Sequence, residues 1–206
     1  SELGLHPLYV DLEARTQYLS AGDYENATEI TERISGFYRL RGLYSEIQRL
    51  NEELLRYYEH PKILNQIAWS YWDRSNYAAA REWYQRMLEA AAEQTDKYEA
   101  ARALHGLASI DVNQGNYEAA RENFQKALEI FQQIGDRARE AYTLHNLAAI
   151  DVNQGNYEAA RENFQKALEI FQQIGDRARE AYTLHNLAAI DVNQGNYEAA
   201  RENFQK

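Results

Sequence analysis

Residues 111–150 read DVNQGNYEAARENFQKALEIFQQIGDRAREAYTLHNLAAI, and residues 151–190 repeat those forty letters without a change. Residues 191–206 repeat the first sixteen. An older copy precedes them. Asn76, Tyr77, Ala80, Tyr84 and Leu88 match Asn116, Tyr117, Ala120, Phe124 and Leu128 at an offset of forty. A fixed period of this length marks a repeat architecture, in which each unit buries its apolar face against its neighbours. The chain therefore divides into a degenerate helical lead-in, 1–60, and an array, 61–206. Within the array, 61–110 is a divergent copy, 111–150 and 151–190 are identical copies, and 191–206 is a truncated one. Identity over forty positions reflects either a recent tandem duplication or repetition by design.

Each unit holds two helical patterns. Tyr117, Ala120, Phe124, Ala127, Leu128, Phe131 and Ile134 recur at steps of three and four, which is one apolar stripe on an α-helix. Ala141, Leu144, Leu147 and Ala148 form a second stripe. Gly115 sits where a left-handed residue ends a helix, with Asn116 as the expected cap of the next. Gly135 and Asp136 do the same at the other junction. Ala120, Ala127 and Ala148 let helices approach closely. One hairpin of this size cannot bury both stripes, whereas a stack of hairpins can. The expected fold is all-α, an α-solenoid of antiparallel helix pairs.

Composition excludes several classes of function. The 206 residues carry 32 acidic and 22 basic side chains, a net charge of −10. A general nucleic-acid binder needs a basic face, and so does docking on an anionic membrane. Neither partner is expected. The absence of cysteine removes disulfides and thiolate chemistry. No apolar run reaches membrane-spanning length. Hydrophobic residues make up 45%, enough to bury a core. No Gly-rich phosphate loop or H-E-x-x-H sequence is present, so neither an enzyme nor a cofactor is expected.

Leu144, Leu147-Ala148, Gly155-Asn156-Tyr157, Ala160, Phe164 and Ala167-Leu168 fall on a known pattern. The array resembles the tetratricopeptide repeat, and that resemblance implies a right-handed superhelix whose first helices line a concave groove. The chain departs from the family in three ways. The period is forty rather than about thirty-four. The closing proline is absent, so Phe171-Gln172-Gln173-Ile174 should continue the helix. Asp111, Asp151 and Asp191 stand where the family usually has an aromatic residue. Forty-residue units with an Asn-Leu-Ala step and an Ile-Gly-Asp junction look like those of kinesin light chains. They look still more like the C-terminal sensor arrays of bacterial signalling ATPases.

If Leu144, Leu147 and Ala148 face the scaffold, then Tyr142, His145, Ala149, Val152 and Asn153 share another face of the same helix. That face is the groove candidate. His105, His145 and His185 recur every forty residues, spaced about a helix diameter apart, too far to share one metal ion readily. No metal is expected. The residues read as groove contacts are Arg102, His105, Tyr142, His145, Asn146, Asn153, Tyr182, His185, Asn186 and Asn193. An asparagine amide offers both a donor and an acceptor to a peptide backbone. Gly106 replaces that asparagine in the older copy.

The sequence therefore points to a protein- or peptide-binding scaffold, cytoplasmic, within a larger signalling protein. Two alternatives stay open. One is a self-assembling spacer formed by head-to-tail stacking. The other is a solenoid that senses a small molecule. The chain stops at Lys206, partway through a repeated helix. That final helix is expected to fray, or its apolar end to pair with another copy.

Overall fold

The computed structural model describes residues 7–198, 200 and 201. Among the described residues ten helices follow one another: α1 (Pro7–Ala21), α2 (Tyr24–Arg39), α3 (Tyr44–Leu55), α4 (Pro61–Trp72), α5 (Tyr77–Glu93), α6 (Lys97–Asn113), α7 (Tyr117–Ile134), α8 (Arg137–Asn153), α9 (Tyr157–Ile174) and α10 (Arg177–Asn193), and helical residues resume at Tyr197. No strand occurs among the described residues. The all-α helical-repeat solenoid expected from the sequence is the fold observed. Two compact units divide the chain, Ser1–Gly106 and Leu107–Lys206.

The helix boundaries follow the local chemistry. Gly115, Gly135, Gly155 and Gly175 all have positive φ, which costs glycine no steric penalty. The Asp136 carboxylate accepts from the Arg139 backbone N–H at 3.0 Å and caps α8. Asn116 and Asn156 occupy the N-cap positions of α7 and α9 but form no side-chain cap bond there. Their expected capping role is therefore corrected: position alone, set by the preceding glycine, starts these helices. In the older copy Asn76 does cap, accepting from Ala79 N–H at 3.3 Å. With no proline to stop it, α9 runs on through Phe171 to Ile174.

In the first unit, Ile34, Tyr38, Ile47 and Leu50 form one buried cluster, and Ala27, Leu54, Ile63 and Ile67 form another. The described part of the degenerate opening is thus helical and packed, with short turns between its helices. Arg15 is buried in it. Its guanidinium donates to Thr31 Oγ1 at 2.8 Å, Glu53 Oε2 at 2.9 Å and the Leu50 carbonyl at 2.6 Å. A buried charge is tolerated when its donors are taken up in this way, and here it stitches α1 to α2 and α3.

In the second unit the core repeats with the sequence. Ala108, Ala120, Phe124, Leu147 and Ile150 pack together, as do Ala148, Ala160, Phe164, Leu187 and Ile190 forty residues on. Asp151 explains its own departure from an aromatic. It is buried at the end of α8 and accepts from Arg121 Nη2 on α7 at 2.7 Å and from Asn163 Nδ2 on α9 at 3.3 Å. Arg161 and Asp191 repeat the ion pair at 2.6 Å. A charged staple between helices replaces ring packing. The fraying expected of the C-terminal helix concerns residues 202–206, which lie outside the described residues.

Candidate functional site

The candidate site is a groove between α8 and α10, both in the second unit. Its volume is about 310 Å³. From α8 come Tyr142, His145, Asn146, Ala149, Val152 and Asn153; from α10 come Tyr182, Asn186, Ala189, Ile190 and Asn193. Phe164 of α9 also contributes to the lining. Positions 142, 146, 149 and 153 are spaced by three and four, so they form one stripe along α8. Positions 182, 186, 189 and 193 form the same stripe on α10. Residue identity at an offset of forty therefore yields two facing rows of Tyr, Asn, Ala and Asn.

The lining contains no Asp, Glu, Lys or Arg, although the chain carries a net charge of −10. Its polar groups are amides, phenols and the His145 imidazole. Tyr142 is 42% exposed and Tyr182 60% exposed, so both present ring surface to solvent. The Arg179 guanidinium stands nearby, 5.7 Å from the Tyr142 ring centroid. That guanidinium also pairs with Asp176.

His145 is buried, only 6% exposed. Its ring stacks on Tyr182 with centroids 5.0 Å apart and meets Phe164 edge-on at 4.9 Å. Nδ1 lies 3.2 Å from Thr183 Oγ1, and Nε2 lies 3.2 Å from Asn186 Nδ2. Thr183 Oγ1 in turn donates to the Arg179 carbonyl at 2.8 Å. With its proton committed there, the Thr183 oxygen accepts from Nδ1–H. Nε2 is then an unprotonated acceptor for the Asn186 amide. Burial favours this neutral ring and pulls the His145 pKa down to about 4.

The groove gathers seven of the residues singled out from sequence: Tyr142, His145, Asn146, Asn153, Tyr182, Asn186 and Asn193. His185 lies on α10, is exposed, and is not among the lining residues. Arg102 and His105 lie on α6 in the first unit. There Arg102 donates to Glu99 Oε1 at 2.9 Å. Burial pushes the Glu99 carboxyl up, and the Arg102 charge opposes that shift. Phe164 and Thr183 escaped the sequence reading. Phe164 belongs to the apolar stripe of α9, and nothing in that stripe says that its ring also reaches the groove. Thr183 carries no signal of its own. Its role rests on the register between successive repeats. Among the described residues, no group of three or more His, Asp or Glu side chains is placed to hold a metal ion. No helix among them is long and apolar enough to cross a membrane.

Comparison with known proteins places this arrangement. No curated protein sequence matches the chain. Among solved structures, BtubC (BKLC) from P. vanneervenii superposes with a TM-score of 0.83 at 19% identity, covering 98% of this chain and 89% of that one. A Signal Transduction ATPase with Numerous Domains (STAND) from Pyrococcus horikoshii, with a tetratricopeptide repeat sensor, gives 0.77 at 24% identity over 87% of this chain and 28% of that one. The Rap conjugation gene regulator of plasmid pLS20, in complex with the Phr* peptide, gives 0.69 at 15% identity over 96% of this chain and 51% of that one. These identities establish likeness of fold. The sequence model of the tetratricopeptide repeat matches residues 59–133, 99–151 and 139–206. The chain belongs to the tetratricopeptide repeat family.

Proposed function

We propose that the chain is a peptide-binding scaffold whose α8–α10 groove holds an extended, uncharged peptide segment. The observation that carries this reading is the groove lining: paired rows of tyrosine and asparagine, with no ionised side chain, on an acidic protein. Amides can satisfy both the N–H and the C=O of a bound backbone, and exposed tyrosine faces supply apolar contact at low entropic cost. A site of this volume suits a few residues of chain. The Rap regulator solved with a peptide and the STAND protein with its repeat sensor share the fold, and they lend support by analogy. His185 is a further contact of the second unit in this proposal, and Arg102 and His105 are candidate contacts of the first unit taken by itself. The scaffold acts by binding alone, within the cytoplasm, as one part of a signalling protein.

Panning a random-peptide library against the chain and against Asn153→Ala/Asn193→Ala tests the reading. Both asparagines are exposed, so the variant keeps its fold. Enriched peptides should be extended and neutral. Each should lose about thirtyfold in affinity to the variant, because two hydrogen bonds of about 1 kcal/mol each are at stake. Enrichment that ignores the substitutions, or no enrichment at all, sinks it.

A further inference from the structure

The His145–Asn186 contact determines more than packing. Asn186 Nδ2 is committed to His145 Nε2 at 3.2 Å. Its other end, Oδ1, takes no hydrogen bond from any described residue, and Asn186 lines the groove. An amide is planar, so fixing Nδ2 on the histidine fixes where Oδ1 points. The histidine is fixed in turn by Thr183, whose proton is spent on the Arg179 carbonyl. The chain of donors runs in one direction: Asn186 to His145, His145 to Thr183, Thr183 to backbone.

We propose that His145 is a positioning residue that aims the Asn186 carbonyl into the groove, so that this point accepts a hydrogen bond from an uncharged N–H or O–H of the ligand. The inference rests on the peptide-binding reading of the groove, and it names the polarity of one of its contacts. Protonation of His145 reverses that polarity. With both ring nitrogens carrying protons, Nε2 demands an acceptor. The amide must then flip, and Asn186 presents its NH2 to the ligand instead. The groups facing the ring are Phe164 from α9 and Tyr182, Thr183 and Asn186 from α10. Tyr142 and Asn146 share its own helix. None of these is a carboxylate, an ammonium or a guanidinium group, and burial holds the ring neutral, so the acceptor form is the one present at pH 7.

Nitrogen-15 NMR on the whole chain tests this. His145 ring signals are assigned with His145→Gln. At pH 7 Nδ1 should give the protonated signal and Nε2 the unprotonated one, with coupling to the Asn186 side-chain amide across the hydrogen bond. The opposite tautomer overturns the proposal. Asn186→Asp supplies a second readout. A carboxylate facing Nε2 cannot donate, so it should raise the His145 pKa by at least two units. An unchanged pKa in a folded variant counts against the contact.

N-methylacetamide and N,N-dimethylacetamide then probe the carbonyl, since only the first carries an N–H. The first should move the Asn186 side-chain signals saturably and the second should not. Equal shifts, or none from either, overturn the assignment of an open acceptor. The two levels of the argument fail separately. A wrong tautomer removes the positioning role while peptides still bind. Failure of library panning removes the peptide reading while the tautomer stands.

Discussion

The Cβ that Gly106 lacks would lie 2.5 Å from Cζ of Tyr84. In the identical repeats these two positions hold Phe124 with Asn146, and Phe164 with Asn186. The exchange is therefore paired: where the ring is a tyrosine, the asparagine has become glycine. Tyr84 is held in place by its surroundings. Burial pushes its phenol pKa up, while Arg102 and Arg39 within electrostatic reach draw it down. A mid-helix glycine costs about 1 kcal/mol relative to alanine, and here it admits the ring. Gly106→Ala should destabilise the first unit by about 1–3 kcal/mol through overpacking, despite the better helix propensity. Tyr84→Phe/Gly106→Asn restores the pair of the later copies and should recover most of the loss from Gly106→Asn alone. Urea unfolding of the four proteins in the cycle measures the coupling.

Arg121 and Asp151 should respond unequally to deletion. Asp151 is buried, and its partners are Arg121 Nη2 and Asn163 Nδ2. Arg121 is partly exposed and also reaches Gln154 Oε1 at 2.8 Å. Removing the aspartate leaves a cation that can turn to water. Removing the arginine strands a buried carboxylate beside one amide. Arg121→Ala should therefore cost about 3 kcal/mol, and Asp151→Ala less, since an uncompensated buried charge is the expensive outcome. Equal losses in denaturant unfolding would contradict the argument.

The parts legible in the sequence are those governed by short-range spacing. The forty-residue period gave the helix pairs, and the left-handed glycines 115, 135, 155 and 175 marked their ends. Steps of three and four put Tyr142, His145, Ala149, Val152 and Asn153 on one face. What stayed hidden depends on register between elements. His145 reads as an open groove contact, yet Thr183 and Asn186, 38 and 41 positions later, bury and orient it. Asp151 reads as a polar residue in an aromatic slot, yet Arg121 lies 30 positions earlier in the chain and meets it directly. No local pattern carries such separations, because the vertical offset between stacked helices is set by packing. Gly106 reads as a gap in the asparagine ladder, and its cause, Tyr84, lies on the preceding helix.

Acid should weaken the second unit through His145. Its pKa is about 4 in the folded chain against an ordinary value near 6.5, so the folded form binds its proton less readily than the unfolded form does. Stability from this group is complete above pH 6.5. It falls as pH drops towards 4, by up to about 1.4 kcal/mol per pH unit. Below pH 4 both states are protonated and the loss levels off. His145→Gln should be less stable at pH 7 but flatter across that window. Unfolding free energies for both proteins between pH 7.5 and 4 check this, since other titrating groups cancel in the difference. A parallel pair of curves would show that His145 does not titrate differently on folding.

Peptide binding in the α8–α10 groove should be nearly blind to salt. No ionised side chain lines it, so no counterions are released and no screened attraction is lost when a ligand enters. Docking of a basic partner on the acidic exterior would behave in the opposite way, because its association rate and affinity depend on long-range charge. For a neutral peptide recovered from the library, Kd should change by less than about twofold between low and high ionic strength. Tyr182→Ala should weaken it at every salt concentration by about tenfold, as loss of an aromatic anchor does. Titration calorimetry at two salt concentrations separates the cases. A Kd that rises steeply with salt moves recognition from the groove to the charged surface.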